Sequence, residues 1–379
     1  MHRHPLTCIL PPHMLKEIIR NGNERQRAFA LQTLQISAQF RGQRQAARDL
    51  AVALALTAAP GKQRVVYDAQ GGAQLPGIPV RREGEPPVED PAVNEAYDGS
   101  GLTYDLFSEI YGRNSIDGNG LRLDSTVHYL KGYDNAFWNG QQMVYGDGDE
   151  DLPPSQRLFN RFTVAVDIIG HELTHGVTEY EAKLAYYGQS GALNESMSDV
   201  FGALVKQYQR RESADQADWV IGAGLFTANV NGIGIRSLKA PGSAYDDPLL
   251  GKDPQPAHMR DYVNTVEDNG GVHINSGIPN HAFYVTAREI GGYAWEKAGH
   301  IWYLALRDKL TATSNFQQAA DLTWQTAGQV YGAGSLEQQA VKTGWAEVGI
   351  LVNETTTPPP SQGDGCLPTL LRAIGLKQI

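Results

Sequence analysis

The spacing of hydrophobic positions near the start of the chain predicts a small helical unit. Apolar residues recur at helical intervals in three stretches, one beginning at His13 and the others covering 25–40 and 43–56. Asn21-Gly22 and Gly42 fall between these stretches, and both glycine and asparagine favour turns. We therefore expect three short helices ahead of the rest of the chain.

Strand-like sequences follow this helical unit. Residues 64–68, 121–130 and 142–145 have the composition of strands, and glycine-rich turns separate or bound them. One helical stretch, around 94–111, interrupts the pattern. This part of the chain is expected to form a β-rich lobe.

Helical periodicity dominates from Phe162 onwards. Beyond residue 352, a linker rich in proline, glycine and polar residues leads to a short amphipathic tail, which is either a docking helix or a frayed end. Ser335 and Gln338 have capping-box spacing at the start of the last helix. The other helices are predicted over 163–180, 192–208, 279–290 and 293–309.

The length of 379 residues exceeds what one hydrophobic core usually supports. Hydrophobic residues make up 41% of the chain and charged residues 20%, which is ordinary for a folded protein. The expected fold class is α+β with two lobes. We divide the chain into an N-terminal segment (1–50), a β-rich lobe (51–181), a helical lobe (182–352), and a linker with its tail (353–379).

Charge is unevenly distributed along the chain. The net charge is −10, yet residues 1–50 carry a net +5, which leaves −15 for the remainder. The acidic body argues against a nucleic-acid partner, because phosphate binding requires a basic surface. The basic first segment has two interpretations, a segment that docks onto its own protein and a solvated tail.

The sequence explains neither export nor covalent stabilisation. The first residues lack the apolar run of a signal peptide, and no stretch reaches the ~18 apolar residues of a transmembrane segment. Non-classical export and a cytoplasmic precursor therefore both stay open. The two cysteines, Cys8 and Cys366, form no disulfide framework.

A metal-binding pattern lies within the predicted helix 163–180, where the sequence reads His171-Glu172-Leu-Thr-His175. Two histidines at positions i and i+4 share one helix face, so both imidazoles can reach one ion. Glu172 projects beside that site and is free to act as a base. Taken alone, the motif also fits a solvated helix with two surface histidines.

A second predicted helix supplies acids that favour the metal site. Glu195 can complete a His/His/Glu zinc site with an open fourth position, which is typical of a catalytic zinc. Asp199 lies one turn further on the same face and can accept the second ring N–H of a ligand histidine. Because an apolar run follows Asp199, two inward-facing acids on this helix need a positive partner, and zinc supplies it.

A third element, residues 268–277, stands far downstream. Its glycines allow a close approach of the backbone, and His273 lies just ahead of a predicted helix. An isolated histidine here would more often be structural. Beside a zinc site, His273 becomes a candidate to stabilise charge on the reacting carbonyl oxygen.

Five separated motifs, in the same order, resemble the thermolysin-like zinc metalloproteases. The resemblance covers roughly residues 61–352 and implies a β-rich N-terminal lobe, a mainly helical C-terminal lobe and a zinc helix between them. It also implies a secreted neutral endopeptidase that cuts internal bonds of proteins and peptides, and we expect a monomer. The motifs are 135–139, 143–149, 171–180, 191–196 and 270–277.

The resemblance assigns the metal ligands. His171, His175 and Glu195 would bind one zinc ion, while Asn194 and Asp199 would support these ligands. The metal would activate a water molecule for attack on the substrate.

The resemblance also assigns the catalytic groups and the cleft. Glu172 would be the general base on the zinc-bound water, and Tyr186 and His273, oriented by Asp268, would stabilise the oxyanion. Asn135, Ala136 and Arg236 would hold the substrate backbone, and a pocket for a bulky apolar residue after the scissile bond would be formed by Phe162, Ile168, Ile221 and Ile235.

Within that family, the chain is most similar to the protealysin-like branch, which carries a short pro-segment with a Cys-Ile-x-Pro-Pro motif. Here the motif runs from Cys8 to Pro11 and Pro12, and 246–258 is also similar to that branch. The resemblance implies an intramolecular inhibitor that is removed by self-processing near residues 50–60. Cys8 has two interpretations, a thiolate ligand of the zinc and a small buried hydrophobic residue.

One departure from the family concerns calcium. Members with a double calcium site carry several acids around the second zinc helix, and Asp167 and Asp218 match two of them. Lys206, Val220 and Ala223 stand where those members have glutamates. Because the ammonium of Lys206 substitutes for calcium charge, we expect the double site to be reduced or absent.

Two rival functions remain at this point. A zinc-stabilised binding protein without turnover would need an incomplete catalytic set, yet Glu172, Tyr186 and His273 are all present. A zinc aminopeptidase on another fold is disfavoured by the match at 135–138 and by the absence of an obvious acidic motif that would bind a substrate N-terminus.

Overall fold

The computed structural model describes residues 7–37 and 61–354. The helix expected over 43–56, the predicted processing region and the tail beyond residue 354 lie outside the described residues. Within them the chain has the predicted α+β class, with its strands concentrated in the N-terminal part and its long helices in the C-terminal part.

The N-terminal segment contributes one short strand and two helices. Strand β1 spans Thr7–Cys8 and helix α1 spans Pro12–Asn21, with proline in the first turn, where its missing N–H leaves no bond unmade. Residues 24–37 are helical and form α2 as far as the described residues reach. The amphipathic spacing of α1 buries Met14, Leu15 and Ile18.

Strand β1 is the edge of a six-stranded sheet with the order β1-β5-β6-β4-β2-β3. It pairs antiparallel with β5, so the N-terminal segment covers a sheet edge that would otherwise be open. β4 is shorter than predicted, because the backbone turns to positive φ at His128 and Leu130. The remaining strands are β2 (Arg64–Asp68), β3 (Ile78–Arg82), β4 (Leu123–Val127), β5 (Ala136–Trp138) and β6 (Met143–Tyr145).

Helix α3 (Pro91–Asp105) packs against β2 and continues into a π-helical turn at Leu106–Ile110. It begins earlier than the predicted residue 94, because the side chain of Asp90 caps it by accepting a hydrogen bond from the backbone N–H of Ala92.

Two long helices, α4 (Val166–Tyr180) and α5 (Gly188–Arg210), pack along each other at the centre of the molecule. Gly202 permits their close contact, since a Cβ atom there would lie 2.4 Å from the carbonyl oxygen of Asp167. The predicted start of α4 at residue 163 was early, because a 3₁₀ turn at Phe162–Val164 precedes the helix. The predicted limits of α5, 192–208, were too narrow at both ends.

The C-terminal part is helical, as predicted, but two of its helices, over Asp268–Asn275 and Phe316–Tyr331, were not predicted. The second of these begins at a capping box formed by Asn315 and Gln318. Two small hairpins, β7–β8 (Val220–Ile221, Arg236–Ser237) and β9–β10 (Asp246–Asp247, Gly251–Lys252), precede the helices. The helices are α6 (Asp268–Asn275), α7 (Gly277–Ile290), α8 (Ala298–Asp308), α9 (Phe316–Tyr331) and α10 (Leu336–Glu347).

Helix α8 begins at Ala298, later than the predicted start at residue 293. Ser335 caps α10 by accepting a hydrogen bond from the backbone N–H of Gln338, as the spacing of these two residues predicted. Across 7–37 and 61–354, no helix combines the length and apolar character that crossing a membrane requires.

Candidate active site and metal centre

The helix pair α4–α5 brings three donor side chains together in the buried interior. The Nε2 atoms of His171 and His175 lie 3.0 Å apart, and the carboxylate of Glu195 lies 3.5 Å from each of them. A tetrahedral ion with bonds of about 2.0–2.1 Å has donor–donor separations of about 3.3 Å. The three side chains therefore fit a zinc ion, with a fourth position left for water or substrate.

Glu172 is also close to the two histidines, and its carboxylate joins them in a cluster of donors within 4.8 Å. Glu195 is the better third ligand, because its carboxylate spans both imidazoles at 3.5 Å. Glu172 is instead tied to the sheet, since its Oε2 accepts a hydrogen bond of 3.1 Å from the backbone N–H of Trp138. This contact holds a carboxylate beside the metal site.

Each histidine is oriented by its second ring nitrogen. His171 Nδ1 lies 2.8 Å from Asp199 Oδ1, and His175 Nδ1 lies 2.8 Å from Asn194 Oδ1 and 3.0 Å from Ser198 Oγ. Such contacts fix the tautomer that presents Nε2 to a metal.

Asp199 is the centre of a wider buried network. Its carboxylate accepts from Arg236 through Nε and Nη2, both at 2.8 Å, and from Asn280 Nδ2 at 2.8 Å. Burial alone would raise the pKa of Asp199, but the charges of Arg236 and His171 lower it well below its usual range. The network thus links His171, a predicted metal ligand, to Arg236, a predicted substrate-binding residue.

Two polar groups face the metal site from the other side of the cleft. Tyr186 donates a hydrogen bond to Glu195, and its hydroxyl lies 3.2 Å from His273 Nε2. Asp268 Oδ1 lies 2.7 Å from His273 Nδ1, and Oδ2 accepts from the His273 backbone N–H at 2.9 Å. Burial lowers the pKa of His273, but the charges of Asp268 and Glu195 outweigh it and raise the pKa to about 9. Asp268 thus favours the protonated ring, whose Nε2 faces the cleft.

The N-terminal segment lies in the cleft with an extended backbone. The N–H of Ile9 donates to the carbonyl oxygen of Ala136 at 3.3 Å, and the N–H of Leu10 donates to Asn135 Oδ1 at 2.9 Å. Arg236 Nη1 donates to the carbonyl oxygen of Ile9 at 3.1 Å. His273 Nε2 lies 3.1 Å from the carbonyl oxygen of Cys8.

The family is decided by two adjoining matches. A model of the thermolysin metallopeptidase catalytic domain matches residues 81–179, and a model of the alpha-helical domain of the same peptidases matches residues 182–350. The chain belongs to the thermolysin family of metallopeptidases. It is a metalloendopeptidase by this membership, and the alternative of a binding protein without turnover loses its basis.

Relatives of this metallopeptidase match over nearly their whole length. An extracellular metalloprotease of Pectobacterium carotovorum subsp. carotovorum is 49% identical over 362 residues, which cover 93% of this chain and 99% of the relative. Protease PrtS of Photorhabdus sp. (strain Az29) is 45% identical over 351 residues, covering 91% and 92%. The solved structure of the precursor of protealysin, a metalloproteinase from Serratia proteamaculans, is 51% identical, with a TM-score of 0.81 over 91% of this chain and 99% of that one.

The residues predicted to form the pocket of the metallopeptidase are all fully buried. Ile221 and Ile235 lie at the β7–β8 hairpin that carries Arg236, and Phe162 and Ile168 flank the start of α4. All four belong to the same hydrophobic cluster as Ile9. An apolar side chain directly after Cys8 therefore lies in an apolar environment.

The side chain of Cys8 in the metallopeptidase lies among aromatic residues and a serine. Its Sγ lies 3.6 Å from Ser37 Oγ, and the residue packs with Tyr129, Tyr133 and Phe137. Pro11 is buried and precedes α1, and Pro12 opens it.

Lys206 is buried where some family members have an acid. Its Nζ lies 2.9 Å from Asp167 Oδ2 and 2.7 Å from Asp218 Oδ1, and it donates to the carbonyl oxygen of Val220. Burial lowers the pKa of Lys206, but Asp167 and Asp218 raise it above its usual value. Ala223 lines the adjoining cavity.

The sequence reading of the metallopeptidase missed several residues of the site. Ser198 has a local signal, because it lies one turn after Asn194 on α5. Asn280 lies 81 positions from Asp199, and Gln255 lies 18 positions from His273, so no helical or strand periodicity connects these pairs.

Proposed function

We propose that this protein is a zinc-dependent neutral endopeptidase that cuts internal bonds before bulky apolar residues, with Glu172 as the general base. The observation that carries the proposal is the backbone docked in the cleft: the carbonyl of Cys8 meets His273 and the peptide of Ile9 is held by Ala136 and Arg236. A substrate bound in this register has the bond before its apolar residue beside the metal ligands.

His171, His175 and Glu195 would hold the zinc ion, which when bound supplies Lewis acidity and lowers the pKa of water towards ~7. Glu172 takes the proton of the attacking water and passes it to the leaving amine. Its contact with the N–H of Trp138 keeps the carboxylate beside the scissile bond.

The remaining groups of the site bind and stabilise the substrate. His273 and Tyr186 donate hydrogen bonds to the oxygen on which negative charge develops, and Asp268 accepts from His273 Nδ1 and so favours the protonated ring, whose Nε2–H is the donor. Asn135, Ala136 and Arg236 hold the backbone beyond the scissile bond, and the pocket at Phe162, Ile168, Ile221 and Ile235 accepts the apolar side chain.

The decisive experiment compares the wild type with Glu172→Ala. We expect the wild type to hydrolyse casein in a chelator-sensitive way, and the variant to bind one zinc ion per chain and remain inert. Glu347→Ala, an exposed glutamate of α10, is the matched control and should keep full activity. Near-normal activity of Glu172→Ala would remove the base assignment, and a ladder of N-terminal trimming products would favour an aminopeptidase.

We infer that residues 1–50 are an inhibitory pro-segment, removed by self-processing near residues 50–60. The burial of Ile9 and the docking contacts of Cys8 and Leu10 support inhibition, because they occupy the groups that a substrate would use. In intact-mass measurements, wild type should lose about fifty residues while Glu172→Ala stays full-length. The contacts of Cys8 favour the buried hydrophobic interpretation, and absence of a thiolate-to-metal band in the cobalt-substituted precursor would confirm it.

We further propose that the double calcium site is reduced or absent, because the ammonium of Lys206 already lies between Asp167 and Asp218. Metal analysis should then find zinc and no calcium at this position. Following the relatives named extracellular, we propose that the protease is secreted and acts as a monomer on protein and peptide substrates.

A further inference from the structure

The segment 246–258 lies outside the cleft but contacts the helix that carries the oxyanion donor. Gln255 is buried, and its Nε2 donates to the carbonyl oxygen of His273 at 2.8 Å and to Ser276 Oγ at 3.0 Å. We propose that Gln255 is a positioning residue that holds the imidazole of His273 at the distance the oxyanion requires. The inference rests on the proposed role of His273.

His273 needs an anchor on its C-terminal side because its own helix is short and irregular. Helix α6 has eight residues, and its first four have positive φ angles of 50°, 51°, 82° and 75°. So short a helix has little stability of its own. Asp268 fixes the ring and the backbone N–H of His273, and Gln255 fixes the carbonyl of the same residue. Asp268 and Gln255 together hold the peptide groups on both sides of the Cα atom of His273.

The anchor is itself rigid. The backbone N–H of Gln255 donates to Asp253 Oδ1 at 3.1 Å, and Asp253 Oδ2 accepts from the N–H groups of Gly242 and Ala244 at 3.0 and 3.1 Å. The segment also presses on the start of α7, since a Cβ at Gly277 would lie 2.7 Å from the carbonyl oxygen of Pro256. Movement of Gln255 would therefore be transmitted to α6.

The position requires an amide donor. The carbonyl oxygen of His273 can only accept, so a carboxylate in place of the amide would repel it, and an aliphatic side chain would leave it without this donor. The side-chain oxygen of Gln255 is buried and has no hydrogen-bond partner among the described residues. The contacts of the Gln255 side chain with His273 and Ser276 are therefore made by its N–H donors and not by its oxygen.

The test uses Gln255→Leu in the full-length chain, activated by limited proteolysis, with active enzyme counted by titration with a tight inhibitor. We expect kcat to fall about tenfold, because small displacements of catalytic groups are costly, with KM within about twofold and zinc content unchanged. Gln255→Glu, which keeps the side-chain shape, should lose at least as much kcat. Gln338→Leu is the matched control, because this buried glutamine donates to the carbonyl of Trp324 at 3.3 Å, and its kcat should be unchanged.

A double-mutant cycle with His273→Ala separates this inference from the function on which it rests. If Gln255 acts through His273, the loss caused by Gln255→Leu disappears in the His273→Ala background. Independent, multiplying losses would overturn the inference alone, and so would a fall in kcat of the Gln338→Leu control equal to that of Gln255→Leu. Full activity of His273→Ala would overturn the proposed role of His273 and this inference with it.

Discussion

The helix pair α4–α5 contains two buried acidic sites that meet their need for positive charge in different ways. Glu195 is contacted by the imidazoles of His171 and His175, by the hydroxyl of Tyr186, and by His273 Nε2 at 3.5 Å. Asp167, one turn before His171 on α4, is contacted by the ammonium of Lys206. Both carboxylates are fully buried.

The comparison of Glu195 with Asp167 shows when a buried carboxylate indicates a metal site. A buried carboxylate is costly unless it is paired or neutralised. Where the chain supplies two imidazoles and a carboxylate at tetrahedral spacing, the site is suited to an external cation. Where the chain supplies an ammonium, the positive charge comes from the chain itself. Changes at the first site should therefore affect activity, and changes at the second should affect stability.

The largest expected effect follows from Glu195→Gln. Loss of the negative charge weakens zinc binding, so zinc per chain should fall and peptide hydrolysis should drop by at least about a thousandfold. The fold should persist, since a neutral amide is less costly to bury than an unpaired carboxylate. Metal analysis, hydrolysis of a quenched peptide and thermal unfolding measure the three effects. Full zinc occupancy with full activity would refute the assignment of Glu195.

Lys206→Met should lower stability and leave activity nearly unchanged. It leaves Asp167 buried without its cation and should lower the free energy of unfolding by about 3 kcal/mol or more. Activity below the unfolding temperature should stay within about twofold. Urea unfolding measures the stability, and a loss of activity without a loss of stability would contradict the comparison.

The control for this change is Lys342→Met. Lys342 pairs with Glu354 on the surface, where both side chains are about half exposed, so its removal should cost below about 1 kcal/mol. If both lysine variants lose the same stability, the pairing of Lys206 with Asp167 carries no special weight.

The metal centre could be predicted from the sequence because its spacing is local. His171 and His175 share one turn of α4, and Glu195 and Asp199 share one turn of α5, so helical periodicity places each pair. The fold class also followed from periodicity. The limits of α4 and α8 were wrong because a 3₁₀ turn and a loop precede them, and sequence patterns fix helix ends poorly.

Other features depend on tertiary contacts that no periodic pattern encodes. The contact of His13 with Tyr245 joins residues 232 positions apart, and the bond from Arg236 to Ile9 joins residues 227 positions apart. Arg236 could be assigned only by family resemblance, and His273 became a candidate only because a zinc motif was already present elsewhere in the sequence. Gln255 carried no signal of its own, because a glutamine in a loop is usually exposed.

His13 is a further basic residue to compare with Lys206. Among the described residues, it has no carboxylate within hydrogen-bonding distance. Its Nε2 lies 3.0 Å from the hydroxyl of Tyr245, and its Nδ1 is covered and has no partner among the described residues. Burial lowers the pKa of His13 to about 4; Asp268 opposes this, whereas the positive charges that reinforce it are those of His273, Arg236 and Lys16.

The docked N-terminal segment should therefore loosen in acid. With a docked pKa of about 4 and an ordinary value of 6.5, docking is strongest above pH 6.5 and weakens as pH falls towards 4. Between pH 7 and 5 the weakening should be about twentyfold. Hydrogen-exchange protection factors at Ile9 and Leu10, measured in the uncleaved Glu172→Ala background, should fall accordingly. His13→Gln should remove most of this change, and an equal change in both proteins would exclude His13 as its source.

His128 should give the smallest effect. Its contribution to stability should change with pH in the opposite direction to that of His13. Its Nδ1 lies 2.8 Å from Asp147 and its Nε2 lies 2.7 Å from Asp90. The hydrogen bond that His128 donates to Asp147 raises the pKa of His128, burial lowers it, and the net value is about 9. Because the folded-state pKa lies above 6.5, the stabilisation is complete below pH 6.5 and is lost as pH rises through 9.

Urea unfolding from pH 6 to 10 would measure this loss. Because the three side chains are partly exposed, wild type should lose on the order of 1 kcal/mol more than His128→Gln over that range. Parallel curves for the two proteins would show that contact with two carboxylates does not hold a proton on this ring. Lys206 and His128 each contact two carboxylates, and Lys206 is the more buried of the two. The interpretation that such contacts keep a base charged would then fail for His128.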